Sequence, residues 1–244
     1  MSTLIVIPAR LQATRLPNKP LADIGGKPMI IHIWERAIAS QAGEVVVACC
    51  HERTADVIKQ AGGQAVITDP DLPSGTDRVA AAAQAVGFNG DYILNVQGDM
   101  PFIEPENMRA CLDILKITDV DISTVGCPIS NDQQWLDISV VKALVSPLGP
   151  GVYEAHDFTR NDPADKRESA FYHLGLYAYR PEALQKFVSL SPSLREKERS
   201  LEQMRAQDNG MRIGFSVVQA TPLSVDTQSD LLKARQLFAT KEAW

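Results

Sequence analysis

Short, wholly apolar runs recur through the first half of the chain, each followed by a segment with helical spacing. The run Thr3-Leu-Ile-Val-Ile7 has no polar face, which marks a parallel strand covered by helices on both sides. Helical spacing follows over 28–40, with Met29, Ile30, Ile33, Trp34 and Ala37 on one face. A second buried strand is predicted over 44–49, a helix over 52–61 closed by Gly62-Gly63, and a third short strand over 64–68. Ser74-Gly-Thr-Asp77 then introduces an alanine-rich helix over 78–86, before a strand at 92–96, a helix at 105–116 and a strand at 121–127. Repetition of strand and helix implies right-handed crossovers and a twisted, mostly parallel sheet.

The second half is less regular. Strands are predicted over 140–145, 170–179 and 212–218, and helices over 181–190, 196–206 and 227–241. The stretch 147–168 is rich in Pro, Gly and Asp and reads as loop with little helix. Neither a linker nor an internal repeat divides the 244 residues, so one α/β domain is expected, its second half building a wall of the cleft.

With a formal net charge of −6, a nucleic-acid polymer is an unfavourable partner. No run approaches the roughly 20 apolar residues that span a bilayer. The N-terminus lacks the basic region and cleavage site of an export signal, so a cytoplasmic location is expected. Cys49, Cys50, Cys111 and Cys127 show no zinc-type pairing and read as reduced thiols.

Against this acidic background Arg10, Arg15 and Lys19 follow the first strand with no acid between them. The carboxyl end of such a strand is where open α/β sheets bind ligands, and several cations there suit a polyphosphate. The alternative is a solvated basic loop. The chain has no GxxxxGK[ST], so this is not a Walker loop, and Gly25-Gly26-Lys27-Pro28 reads as a turn. Asp99 follows a buried strand in Gln97-Gly98-Asp99 and suits Mg²⁺, although a turn-capping role explains it equally well. Asp226 precedes the closing helix, where a role as its N-cap explains it fully, and only pairing with Asp99 makes it a metal candidate. Ser74, Gly75 and Arg78 lie where free helix N–H groups meet either a ligand or a cap. His173 alternates with Tyr172 and Leu174 on a strand, a setting that is more often structural. No nucleophile triad is visible, and nothing requires covalent catalysis.

Taken in order, several blocks resemble the 3-deoxy-manno-octulosonate cytidylyltransferases (CMP-Kdo synthetases). They are Ile7-Pro-Ala-Arg10, Thr14-Arg-Leu-Pro-Asn-Lys-Pro-Leu21, Gly26-Lys-Pro-Met-Ile30, Ser74-Gly-Thr-Asp-Arg78, Asn95-Val-Gln-Gly-Asp99, His173-Leu-Gly-Leu-Tyr177, Leu201-Glu-Gln203 and Val225-Asp-Thr227. The first and the Gly-Lys-Pro blocks are shared among sugar nucleotidyltransferases, whereas the later ones are more specific. The resemblance implies a three-layer α/β nucleotidyltransferase fold with a mostly parallel mixed sheet, usually in a homodimer. It implies transfer of CMP from CTP to the anomeric hydroxyl of Kdo, with release of pyrophosphate, for lipopolysaccharide biosynthesis. On the same basis Arg10, Arg15 and Lys19 match the triphosphate clamp beside Ala9, and Ser74, Gly75, Arg78 and Gln97 match the cytidine-recognition segments. Asp99 and Asp226 match the Mg²⁺ ligands, with Lys19 a third catalytic candidate. His173, Tyr177, Glu202 and Gln203 match the region that holds the sugar acid. Residues 1–128 would then be mainly the nucleotide half, and 129–244 mainly the sugar and dimerisation half.

The chain departs from the family pattern in places. Ala48-Cys49-Cys50 lacks a strand-end acid, Asn18 stands where Gly is usual, and Met100 replaces a commonly polar residue. In Ala155-His-Asp-Phe-Thr-Arg160 an apolar pair has become His156-Asp157, and Glu198-Arg199 reverses the expected order of charges. These changes leave two alternatives: another acid sugar (sialic-acid-like or 8-amino-Kdo), or a degenerate homologue that binds nucleotide without turnover.

Overall fold

A computed structural model of the chain describes residues 1–11, 15–219 and 223–240; Thr14 of the N-terminal motif and Lys241, the expected end of the closing helix, lie outside them. The chain packs as two compact units, Met1–Met108 with Pro222–Trp244, and Arg109–Thr221. This division falls after Met108 and returns the C-terminal segment to the first unit, whereas the halves drawn on the sequence meet at residue 128.

The first unit opens with β1 (Thr3–Ala9), in which Leu4, Ile5, Val6 and Ile7 are all buried, as a strand covered on both faces requires. A tight hairpin of β2 (Asp23–Ile24) and β3 (Lys27–Pro28) follows, turning through Gly25 and Gly26 at φ 62° and 83°. Then come α1 (Met29–Ala39), β4 (Glu44–Cys49), α2 (Glu52–Gln60), β5 (Gln64–Ile67), α3 (Gly75–Ala85) and β6 (Tyr92–Asn95). The four main strands are all parallel, in the order β5-β4-β1-β6, so the loops after β1 and β6 leave neighbouring strand ends. Helix α4 (Pro105–Ile117) carries the chain onward.

The second unit contains β7 (Ile122–Cys127), α5 (Asp132–Leu136), β8 (Lys142–Gly149), β9 (Val152–Thr159) and β10 (Ala170–Tyr179). These are followed by α6 (Pro181–Ser189), α7 (Leu194–Arg199), α8 (Met204–Asp208) and β11 (Ile213–Val217). Its ladder is mixed: β7 pairs in parallel with β11, and the other pairings are antiparallel. Because β8 pairs with both β9 and the start of β10, the pairings run round from β10 through β7, β11, β9 and β8 back to β10. Helix α9 (Gln228–Thr240) then belongs to the first unit.

Two expectations fail here. Residues 147–168 are not loop: they hold the end of β8, all of β9 and a short 3-10 helix, Ala164–Ser169. The strand is hard to read because the register slips between Leu144 and Val145, leaving His156 as a bulge. Buried Ala155 and Phe158 are therefore three apart instead of two. The helix expected over 196–206 is two helices, broken where Ser200 takes the left-handed conformation at φ 52°. Among the described residues no helix is long and apolar enough to cross a membrane.

Candidate active site

In the first unit, Ala9 ends β1 in the core, and the chain beyond it exposes Arg10 and Arg15 before a 3-10 turn (Lys19–Leu21). Asn18 adopts the left-handed conformation at φ 56° that a glycine would normally supply, and its carbonyl accepts the Leu21 N–H at 2.8 Å. Asn tolerates this region better than most residues, so the turn forms without a glycine. Lys19 is thereby aimed back toward the strand ends, and its side chain is only 14% exposed.

Beyond β6 the ladder continues for one bond, from Val96 N–H to the Val6 carbonyl, and the chain then turns through Gln97-Gly98-Asp99. A Cβ on Gly98 would lie 2.7 Å from the Pro8 carbonyl oxygen, so only glycine lets this turn lie against the end of β1. The Asp99 carbonyl accepts the Val225 N–H at 2.8 Å, which clips the segment before α9 to the turn.

That clip brings the acids together. Lys19 Nζ lies 3.3 Å from Asp99 Oδ2 and 2.8 Å from Asp226 Oδ1, and Arg15 reaches the other Asp226 oxygen at 3.3 Å. Burial pushes the Asp99 carboxyl above its ordinary range; the Lys19 charge opposes that rise and the Asp226 charge adds to it. Asp226 is not the cap of α9: Thr227 Oγ1 accepts the Asp230 N–H at 3.2 Å, and the Asp230 carboxylate accepts the N–H groups of Asp226 and Thr227. The capping pair Thr227/Asp230 is spelled out in the sequence, and it leaves the Asp226 side chain for Lys19 and Arg15. Two carboxylates converging on one cation form a hard-oxygen donor set of the kind Mg²⁺ takes alongside phosphate and water. Among the described residues no third His, Cys, Asp or Glu joins such a cluster.

The other first-unit candidates divide by role. Ser74 caps α3, its hydroxyl accepting the Asp77 N–H at 3.1 Å, so the helix begins at Gly75, before the expected 78. Gly75 faces Pro8 and the Gln97 amide, which places the α3 N-terminus beside the turn that carries Asp99. Arg78 is buried and donates to the Thr68 hydroxyl and to the carbonyls of Asp69 and Pro70, so its guanidinium braces the loop ahead of α3.

The acid-sugar candidates all lie in the second unit. His173 is 7% exposed on β10, with Nε2 2.9 Å from Thr124 Oγ1 and its ring between Phe158 and Tyr177 at 5.0 and 5.4 Å. Burial alone pulls its pKa down to about 3, so the imidazole is neutral at physiological pH. Tyr177 is pushed well above its ordinary value, first by burial and then by neighbouring Tyr179 and Glu202. Glu202 and Gln203 occupy the turn between α7 and α8, with Gln203 buried. His173, Tyr177 and Glu202 thus share one neighbourhood.

Residues 4–213 match the family model described as Cytidylyltransferase. The chain is 47% identical over 242 residues to the 3-deoxy-manno-octulosonate cytidylyltransferase of Paramagnetospirillum magneticum, covering 98% of both chains. Against the protein of that name from Parvibaculum lavamentivorans it is 46% identical, covering 98% of this chain and 93% of the relative. A solved structure of CMP:2-keto-3-deoxy-manno-octonic acid synthetase complexed with CTP superposes with a TM-score of 0.89 at 36% identity, over 98% of this chain and 99% of that one. A UDP-glucose pyrophosphorylase complexed with UDP-glucose shares the fold at TM-score 0.74 and 14% identity. The α/β nucleotidyltransferase fold follows from these superpositions, and the chain belongs to the 3-deoxy-manno-octulosonate cytidylyltransferase family.

Proposed function

We propose that this protein transfers CMP from CTP to the anomeric hydroxyl of Kdo and releases pyrophosphate. The observation that carries the reading is the convergence of Asp99 and Asp226 on Lys19, with Arg15 alongside, at the carboxyl ends of parallel strands. It is joined by full-length likeness to relatives that bear this name.

In the reaction the sugar hydroxyl gives up its proton to solvent as its oxygen bonds to the α-phosphorus of CTP. The bond from that phosphorus to the oxygen bridging the α- and β-phosphates breaks, and pyrophosphate leaves with the electron pair. Both substrates are anionic and repel, so charge and positioning dominate catalysis. Arg10, Arg15 and Lys19 bind and orient the triphosphate. Gln97 and the α3 N-terminus at Ser74-Gly75 meet the cytidine, while Arg78 holds their loop in shape. Asp99 and Asp226 would hold Mg²⁺, which supplies positive charge for the phosphates and makes a hydroxyl more acidic. His173, neutral and fixed by Thr124, and Tyr177 orient the sugar as hydrogen-bonding groups, together with Glu202 and Gln203. The same proposal takes the protein as a cytoplasmic homodimer acting in lipopolysaccharide synthesis; the free cysteines fit a reducing compartment, and sedimentation of the purified chain tests the dimer.

The test is pyrophosphate release with CTP and Mg²⁺ against Kdo, 8-amino-Kdo and sialic acid. Release with Kdo is expected; release with sialic acid alone moves the substrate, and release with none defeats the synthetase reading. Asp99→Asn is expected to lower turnover at least about a hundredfold with the fold intact by circular dichroism. Wild-type turnover by that variant removes Asp99 from the metal role.

A further inference from the structure

The pair α7–α8 is braced within itself. Ser193 and Glu196 form a capping box, and the Glu196 carboxylate also takes a two-point bond from Arg205. The helix pair is held to β9 by Gln207, whose amide donates to the Ala155 carbonyl at 2.8 Å, and by Arg195, whose Nη1 lies 3.5 Å from Asp157 Oδ1. It is also held by two arginines that cross, Arg199 on α7 and Arg160 just after β9. Arg199 Nη1 donates to Asp157 Oδ1 at 2.6 Å and to the Phe158 carbonyl at 2.7 Å. In return, Arg160 donates to the carbonyls of Arg199 and Ser200 at 3.3 Å each, and to that of Ile138 at 3.2 Å. The backbone of Arg160 is itself held by Lys142, fully buried, whose Nζ donates to the Arg160 carbonyl at 2.9 Å. These bonds surround the left-handed Ser200 and lead straight into Glu202-Gln203. On its other side Phe158 packs edge-on against His173 at 5.0 Å.

The dipeptide Asp157-Phe158 therefore touches both parts of the acid-sugar face, the His173 ring through Phe158 and the turn carrying Glu202-Gln203 through Arg199. We infer that Asp157 and Arg199 form a positioning pair that sets Glu202-Gln203 relative to His173 and Tyr177, and so governs affinity for the sugar acid without touching the nucleotide chemistry. This rests on the function proposed above.

A double-mutant cycle tests it. Asp157→Asn and Arg199→Gln are each expected to raise KM for Kdo about tenfold, with kcat and KM for CTP within about twofold of wild type. The double variant is expected to fall well short of the product of the two single effects, and Asp157→Glu to recover part of the loss. Multiplying effects, an unchanged KM for Kdo, or equal shifts in both KM values overturn the proposal. A wild-type protein inactive on Kdo defeats the functional reading instead. The pair is then judged by amide exchange at 200–203, which must accelerate in both single variants and less than additively in the double; unchanged or fully additive exchange overturns it.

Discussion

Asn18 shows how much a single residue's conformational range decides. At φ 56° it occupies the region in which most side chains crowd the backbone, and the turn it makes aims Lys19 at Asp99 and Asp226. Asn18→Gly is expected to change stability by less than about 0.5 kcal/mol, because glycine relaxes the strain but gains freedom in the unfolded chain. Asn18→Val is expected to cost about 1–2 kcal/mol and to raise KM for CTP, since a β-branched residue resists positive φ. Urea unfolding and initial rates check both; a valine variant with wild-type stability and KM shows that the turn does not depend on this residue. Asp226 makes the complementary point, because a neighbouring cap releases it. Once Thr227 and Asp230 close the helix end, its carboxylate is left for Lys19 and Arg15. That assignment was legible, since Thr and Asp three apart before a helix form a capping signature, whereas the meeting of Lys19 with residues 80 and 207 positions away was not.

Helix α9 carries Asp226 to its place, and its attachment explains why the first unit needs the far end of the chain. Phe238 lies where any Cβ on Gly25 would strike its ring and meets His32 edge-on at 5.3 Å, while Arg235 Nε donates to the Asp23 carbonyl at 2.9 Å. Phe238→Ala is expected to cost about 1–2 kcal/mol in urea unfolding, from a half-buried ring, and to raise KM for CTP more than KM for Kdo. An unchanged KM for CTP would detach α9 docking from the nucleotide site. Elements buried on both faces, such as β1 and β4, were legible because burial leaves an unbroken apolar run. Strand β9 was not, because its bulge at His156 removes the period of two by which a half-buried strand is recognised. The break at Ser200 was equally silent: no Gly or Pro marks it, and it is held by Arg199, whose partners lie on β9, and by the distant Arg160, which donates to the carbonyls of Arg199 and Ser200. Side chains that act across such distances leave no local pattern, and the brace between Arg199 and Asp157 is as silent in the sequence as the meeting of Lys19 with Asp99 and Asp226.

For the molecule as a whole, the buried neutral imidazole on β10 couples folding to pH. Thr124, Phe158 and Tyr177 face His173, and burial alone depresses its pKa from 6.5 to about 3. In the unfolded chain the same imidazole takes up a proton as pH falls through 6.5, so the unfolded state binds more protons and gains stability over the folded one. The contribution is fully present above pH 6.5 and is lost progressively as pH falls toward 3. Between about pH 7.5 and about pH 5 the expected loss is about 2 kcal/mol, in a window above the range where most carboxylates titrate. His32, whose pKa burial also lowers, adds in the same direction. Urea unfolding across this range, followed in wild type and in His173→Gln, isolates the term: the variant is expected to be less stable at neutral pH and to lose markedly less on acidification. Parallel pH profiles for the two proteins would show that His173 protonates as readily in the folded state as in water, and would remove the basis for treating it as a neutral hydrogen-bonding group toward the sugar.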